Sequence, residues 1–196
     1  MTGVGNPHIP EASPRQWLSE RQSATVGALL DAGLDEVREV GFEKLTIRSV
    51  AQRAGVTHTT AYSYFTSKSH LISELHWRQV QATPREQVSA DESFVGRVLA
   101  AFSGPAAVLA KDPALSRAVF MAIISDEPEV RRLRAAVGEE LIGRLRSALG
   151  PFEGPDLVST LFLAYSGAMM LVGTGTRDFL EVIPRMETVA RLIDPT

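Results

Sequence analysis

The twenty residues TIRSVAQRAGVTHTTAYSYF, positions 46–65, decide how this chain reads. Thr46 offers the hydroxyl that an N-cap needs. Behind it Ile47, Val50, Ala51 and Ala54 recur at i, i+3, i+4 and i+7, the spacing of one buried stripe on a short helix. Ala51 is small where a partner helix would cross closely. Gly55 permits the left-handed backbone that ends such a helix. Val56 plugs the turn, and Thr57 caps a further helix on which Ala61 and Phe65 face inward, four residues apart. A short helix, a glycine turn and a second short helix make a helix-turn-helix, whose second helix enters the major groove with its N-terminal residues at the base edges.

The charge around this stretch is segregated. Residues Lys44 to Ser73 contain Lys44, Arg48, Arg53 and Lys68 and no acidic side chain. The segment is +4 in a chain whose total is −3, so the remainder carries −7. A positive face on an acidic body suits a polyanion, because each neutralised phosphate releases counterions. On charge alone, a solvated face with a chance gap in acidic residues fits equally well. The surface chemistry separates the two readings. Where an ordinary solvent-facing helix carries Glu, Lys and Arg, this one carries Thr57, His58, Thr59, Thr60, Tyr62, Ser63 and Tyr64. Threonine and serine hydroxyls reach bases or phosphates, and a threonine methyl packs on the methyl of thymine. Tyrosine and Lys68 suit phosphate oxygens. The plainer alternative gives Thr57 a capping role only and places Tyr62 in the core.

Working outward, the chain reads as helices from end to end, with no sustained period-2 alternation. A first helix spans about Ser19 to Val40, with Val26, Leu29, Leu30, Leu34 and Val37 on one side and Gly41 as its stop. A fourth starts near Ser67 and ends where Thr83-Pro84 breaks it. Asp112-Pro113 is an N-cap followed by proline at the first helical position. Asp126 and Glu129 form a capping box for a long helix that stops at Gly150-Pro151. Further helices follow Gly154-Pro155 and Arg177-Asp178, with Pro184 resetting the last. Gly3, Gly5, Pro7, Pro10 and Pro14 mark residues 1–18 as a disordered tail. It lacks the basic and apolar regions of a signal peptide. The break at Thr83-Pro84 divides a unit of residues 19–82 from a larger unit of residues 83–196.

Composition narrows the function. With 196 residues, 44% of them hydrophobic, the chain has material for a sizeable core and is not intrinsically disordered. It has no cysteine, which removes disulfide scaffolds and thiolate sites and leaves the cytoplasm as the default setting. From Leu157 to Thr176 twenty residues carry no charge, nominally enough to span a bilayer. The glycines and hydroxyl residues within that run favour a helix buried between protein surfaces, so no membrane partner is expected. There is no nucleophile elbow, no metalloprotease motif and no phosphate-cradling loop. The histidines, His8, His58, His70 and His76, have no metal-ligand spacing. The expectation is no enzyme, no catalytic residue, no metal and no cofactor.

Residues from about Val26 to Ile72 resemble the DNA-binding domain of the TetR family of bacterial one-component transcriptional regulators. The resemblance rests on Leu29 to Leu34, on the Gly41-Phe42 pair, on Thr46 to Thr57, on Tyr62 to Phe65 and on Ser67 to Leu71. Gly33 and Val37 depart from the usual alanine and larger apolar residue, and His58-Thr59-Thr60 from the commoner choices there. The resemblance implies an all-α fold: an N-terminal three-helix helix-turn-helix DNA-binding domain and a larger C-terminal helical domain for ligand binding and dimerisation. It implies that Thr46, Tyr64 and Lys68 touch phosphate and that Thr57, Thr59, Thr60 and their neighbours face bases. The full candidate DNA-binding set is Lys44, Thr46, Arg48, Thr57, His58, Thr59, Thr60, Tyr62, Ser63, Tyr64 and Lys68.

By the same resemblance the C-terminal half holds a small-molecule pocket. Its candidate lining is Phe102, Phe120, Met121, Ile124, Phe162, Tyr165 and Met169, aromatics and methionines that suit a pliable lipophilic site. A plain core explains the same residues. The last two helices would form a dimer interface from Leu161, Gly167, Ala168, Met170, Leu171, Val189 and Leu192. The function expected is a homodimeric, ligand-responsive repressor that reads a near-palindromic double-stranded DNA operator and leaves it when a small lipophilic effector binds. The competing expectation is a helical lipid-binding or protein-interaction module without DNA binding.

Overall fold

The computed structural model describes residues 20–194, so the tail expected at residues 1–18 lies outside the described residues. Among these residues there are nine α-helices and no strand: α1 (Glu20–Lys44), α2 (Ile47–Arg53), α3 (His58–Tyr64), α4 (Lys68–Ala82), α5 (Phe94–Ala110), α6 (Pro113–Ile123), α7 (Pro128–Leu149), α8 (Pro155–Gly173) and α9 (Val182–Leu192). Short 3-10 turns at Gly150–Phe152 and Phe179–Glu181 precede α8 and α9.

Most helix starts follow local hydrogen-bond chemistry. The Thr46 hydroxyl accepts from the Ser49 amide at 3.0 Å, and the Ser49 hydroxyl accepts from the Thr46 amide at 3.3 Å, a reciprocal capping box. Asp112 accepts from the Leu115 amide at 3.0 Å, ahead of Pro113 in the first turn of α6. Two expectations are corrected. Gly41, at φ 80° and ψ 165°, breaks α1, but the chain resumes helical pairing as far as Lys44, so the helix kinks there and does not stop. The box expected between Asp126 and Glu129 does not form. Pro128 occupies the first helical position, which makes Glu127 the N-cap and puts Val130 where the box needs an acid. Asp126 pairs with Arg131 instead, and Glu129 with Arg132.

Two apolar cores run through the molecule. The first joins α1, α2, α3 and α4 and is closed from outside by Leu115, Ala118, Val119 and Ala122 of α6. Phe65, Leu29, Leu71 and Ile72 are fully buried in it. The helices α1 and α4 approach closely at Gly33, where a Cβ would lie 2.5 Å from the Leu71 side chain. The second core joins α5, α7, α8 and α9 to Val80 at the end of α4.

Two buried arginines knit the segment after α4 to the second core. Arg144 of α7 donates to the carbonyls of Val80 (2.8 Å), Thr83 (2.7 Å) and Pro84 (3.1 Å), satisfying oxygens that the end of a helix leaves open. Its Nε reaches Glu140 at 2.9 Å. Arg97 of α5 does the same for Ser89, Ala90, Glu92 and Ala148. Polar ties also link the first core to α6 and α7: Arg38 to Asp112 at 2.7 Å, and Ser67 to Glu127 at 2.5 Å.

Helix α8 is long and apolar enough to cross a membrane by length and composition. Here it packs against α6, α7 and α9. Only Val158, Leu161 and Tyr165 of it are buried, and Leu163, Met170 and Leu171 face outward.

Candidate functional site

Burial decides which side of the helix-turn-helix is free. Ile47, Val50 and Ala51 hold α2 on the first core, and Ala61 and Phe65 hold α3. Gly55, at φ 68°, turns the chain between them, and the Val56 amide returns to the Ala51 carbonyl at 3.0 Å. The outer side of α3 then presents Thr57, His58, Thr59, Tyr62 and Ser63 to solvent, with Thr60 and Tyr64 half-buried. Tyr62 is 51% exposed, so it is a surface residue and not part of the core. Tyr64 packs partly on the first core.

The hydroxyls on this face are partly engaged with one another. Thr57 accepts from the Thr60 amide at 3.1 Å and lies 2.9 Å from the Thr60 hydroxyl. Ser63 donates back to the Thr60 carbonyl at 2.7 Å. These bonds fix the hydroxyl side chains along α3 while leaving Thr57 and Ser63 exposed.

The four positive charges of the segment divide into two pairs. Lys44 and Arg48 are exposed and make no ion pair among the described residues. Arg53 turns back onto α1, bonding Glu36 at 3.0 Å and also Glu39. Lys68 is half-buried. Its ammonium donates to the carbonyls of Phe42 and Glu43, both at 2.9 Å, and lies 4.7 Å from the centre of the Phe42 ring. In this structure Lys68 closes the C-terminal end of α1, where a cation complements the exposed carbonyls.

The model of the tetR family of bacterial regulatory proteins matches residues 29–75, the stretch that holds α2, α3 and most of α1 and α4. An HTH-type transcriptional regulator of Mycobacterium tuberculosis is 35% identical over 177 residues, 89% of this chain and 83% of its own length. The chain belongs to the TetR family of transcriptional regulators. Solved structures share its fold. A TetR transcriptional regulator from Rhodococcus sp. RHA1 superposes with a TM-score of 0.74 at 21% identity, over 88% of this chain and 96% of that one. FadR from Thermus thermophilus, a TetR-family repressor solved in complex with lauroyl-CoA, gives 0.66 at 18% identity, over 85% and 93%.

This TetR-family chain also contains a cavity of about 310 Å³ between α4, α5, α6, α7 and α8. Phe120, Ile124, Phe162, Tyr165 and Met169 line it, five of the seven residues expected there. Two are corrected. Phe102 is buried behind the wall, its ring stacked on that of Tyr165 at 4.3 Å. Met121 points away, on the outer side of α6, because the two residues that follow Phe120 and precede Ile123 rotate off the cavity side. At the far end of α8, Gly173 makes room for Phe120: a Cβ there would lie 2.0 Å from the ring.

Sequence reasoning missed His76, Val80, Val137 and Leu141, which also line the cavity. The signal for His76 was present. It stands four residues from both Ile72 and Val80, on the inward stripe of α4. Burial pushes its imidazole down to about 4, so it is neutral at ordinary pH. Burial likewise pushes the Tyr165 phenol up, which keeps it protonated.

On the opposite side of α8, Gly167, Met170 and Leu171 are exposed and Ala168 is half-buried. Leu192 of α9 is exposed and Val189 half-buried. Leu161 is fully buried in the second core, so it is not available to a partner chain. Met170 faces both ways, lining the cavity while remaining 59% exposed. Among the described residues no cluster of His, Asp and Glu could hold a metal ion.

Proposed function

We propose that this chain is a ligand-responsive repressor. As a cytoplasmic homodimer it reads a near-palindromic operator through α3 and leaves it when a small lipophilic molecule fills the cavity. The observation that carries this reading is the double placement of α6. Its Leu115, Ala118 and Ala122 pack on the helices of the DNA-binding unit, and its Phe120 and Ile123 form a wall of the cavity. Val119 belongs to both. A ligand that prefers one position of α6 thereby favours one placement of α1 and α4, which is the differential affinity that coupling requires.

The roles follow the geometry. Thr57, His58, Thr59 and Thr60 face base edges, with Tyr62 and Ser63 beside them. Lys44, Thr46, Arg48 and Tyr64 meet phosphates. Gly167, Ala168, Leu171, Val189 and Leu192 supply the apolar face for a second copy, setting two α3 helices about 34–36 Å apart. The lauroyl-CoA bound by the Thermus FadR supports a lipophilic effector for a fold of this shape.

The test is a titration of the protein into labelled DNA from upstream of its own gene, with random competitor, at several salt concentrations. Binding that survives competitor and weakens with salt supports the reading, as does its loss in Thr59→Ala with Arg48→Ala. Failure there and in a random-sequence selection overturns it.

A further inference from the structure

Apolar side chains make most of the cavity wall, and among its polar ones, Ser116, Arg134, Tyr165, Ser166 and His76, it is His76 that has a buried atom without a protein partner. This side chain is 7% exposed, lines the cavity, and has a buried Nδ1 with no protein partner. Buried polar atoms of native proteins are paired in the great majority of cases, and Nδ1 is sealed within the chain, so the ring nitrogen left for a partner in the cavity is Nε2, which is not among the sealed atoms. Two more buried atoms without protein partners, Ser73 Oγ and Gln79 Oε1, flank it three residues away on either side along α4.

Charge narrows what that partner is. Among the described residues Arg134 is the one charged residue in the lining. It is exposed and donates to the carbonyls of Ile123 at 2.6 Å and Ser125 at 3.4 Å, at the end of α6. An anion placed against His76 would be desolvated without a cation beside it, which is costly. Size narrows it further. A cavity of about 310 Å³ stands at the small end of ligand sites, roughly 300–1,000 Å³, so what it encloses is a short lipophile and any nucleotide-sized head would lie outside it. A neutral imidazole presents one N–H donor and one bare nitrogen, so it pairs with a hydroxyl or a carbonyl alike.

Resting on the effector reading above, we propose that the cavity takes an uncharged lipophile bearing one hydrogen-bonding oxygen, an alcohol, phenol or ketone, whose oxygen is received by His76. The tail of the molecule lies among Phe120, Phe162, Met169 and Val137. Arg134 keeps to its backbone carbonyls.

Calorimetric titration of the full chain with 1-decanol, 2-decanone, decanoate and decanoyl-CoA, four probes with one tail length, decides the head group. The two neutral probes are expected to bind at least about tenfold more tightly than the two anionic ones. His76→Leu, which replaces the ring with an apolar side chain, is expected to weaken 1-decanol by about tenfold. His76→Gln, which retains a hydrogen-bonding group, is expected to recover most of that loss. Tighter binding of decanoate or decanoyl-CoA, abolished in Arg134→Gln, overturns the proposal. So does 1-decanol binding that is absent, or unchanged in His76→Leu. Release from operator DNA is read separately. Decanol that binds through His76 without releasing DNA counts against the repressor reading and leaves this site standing.

Discussion

The outer side of α3 and the cavity beneath α8 are built from opposite distances along the chain. The first is a run of neighbours: Lys44 to Tyr64 supplies its caps, its anchors and its exposed side chains. The second gathers His76, Val119, Val137 and Tyr165 from four helices spread over half the molecule. A surface made by one short helix is defined once the helix and its buried stripe are known. A cavity is defined by how helices cross, and crossing geometry depends on every residue at the contact. The two sites meet in α6, which serves the packing of one and the wall of the other.

The comparison breaks most visibly at Phe65. Phe65→Ala removes a fully buried ring from the first core and is expected to cost about 3–5 kcal/mol. Urea unfolding checks the loss. A cost below about 1 kcal/mol would show that α3 is held by something other than its apolar anchor.

Next comes pH, which probes the cavity. An unfolded histidine takes its proton near 6.5, whereas burial holds His76 down to about 4. Between those values the unfolded chain binds the extra proton, so the contribution of His76 is complete above pH 6.5 and is lost as pH falls toward 4. The full loss is about 2–4 kcal/mol. His76→Leu is expected to flatten the stability profile across that window, and an unchanged profile would place the titration elsewhere.

The basic residues give the next effect. Lys44→Ala with Arg48→Ala is expected to lower the slope of log affinity against log salt by about two and DNA affinity by roughly ten- to a hundredfold. Arg53→Ala is expected to lower stability while leaving that slope in place, since its guanidinium is occupied by Glu36 and Glu39. Equal slopes for both variants would erase the distinction between the pairs. Smallest is Thr46→Ala, which removes the capping box of α2. It is expected to cost about 1 kcal/mol in thermal unfolding.

Residue by residue, what was legible follows from the same contrast. The caps at Thr46, Thr57, Ser67 and Asp112 and the turn at Gly55 were readable because each involves atoms within four residues. The misplaced start of α7 was readable too, had Pro128 been given precedence over the acids around it. Arg53 was not readable. Its partners Glu36 and Glu39 share one side of α1, but only the crossing of α1 and α2 brings them to it. The contacts of Lys68 with the carbonyls of Phe42 and Glu43 were not readable either, because they depend on where α4 starts against the end of α1. Leu161 and Met170 share one apolar helix, and their opposite fates depend on which neighbour lies against each turn.

The sharing of α6 bears on how such molecules recombine. Residues 20–82 look like a portable reading head, separable at Thr83-Pro84. Yet the inner side of that head is completed by Leu115, Ala118, Val119 and Ala122, more than thirty residues beyond the break. A chimera that exchanges residues 20–82 between relatives leaves a mismatched seam against α6. The piece that transplants as a working whole is the reading head together with that side of α6, and a lineage that swaps one must co-adapt the other.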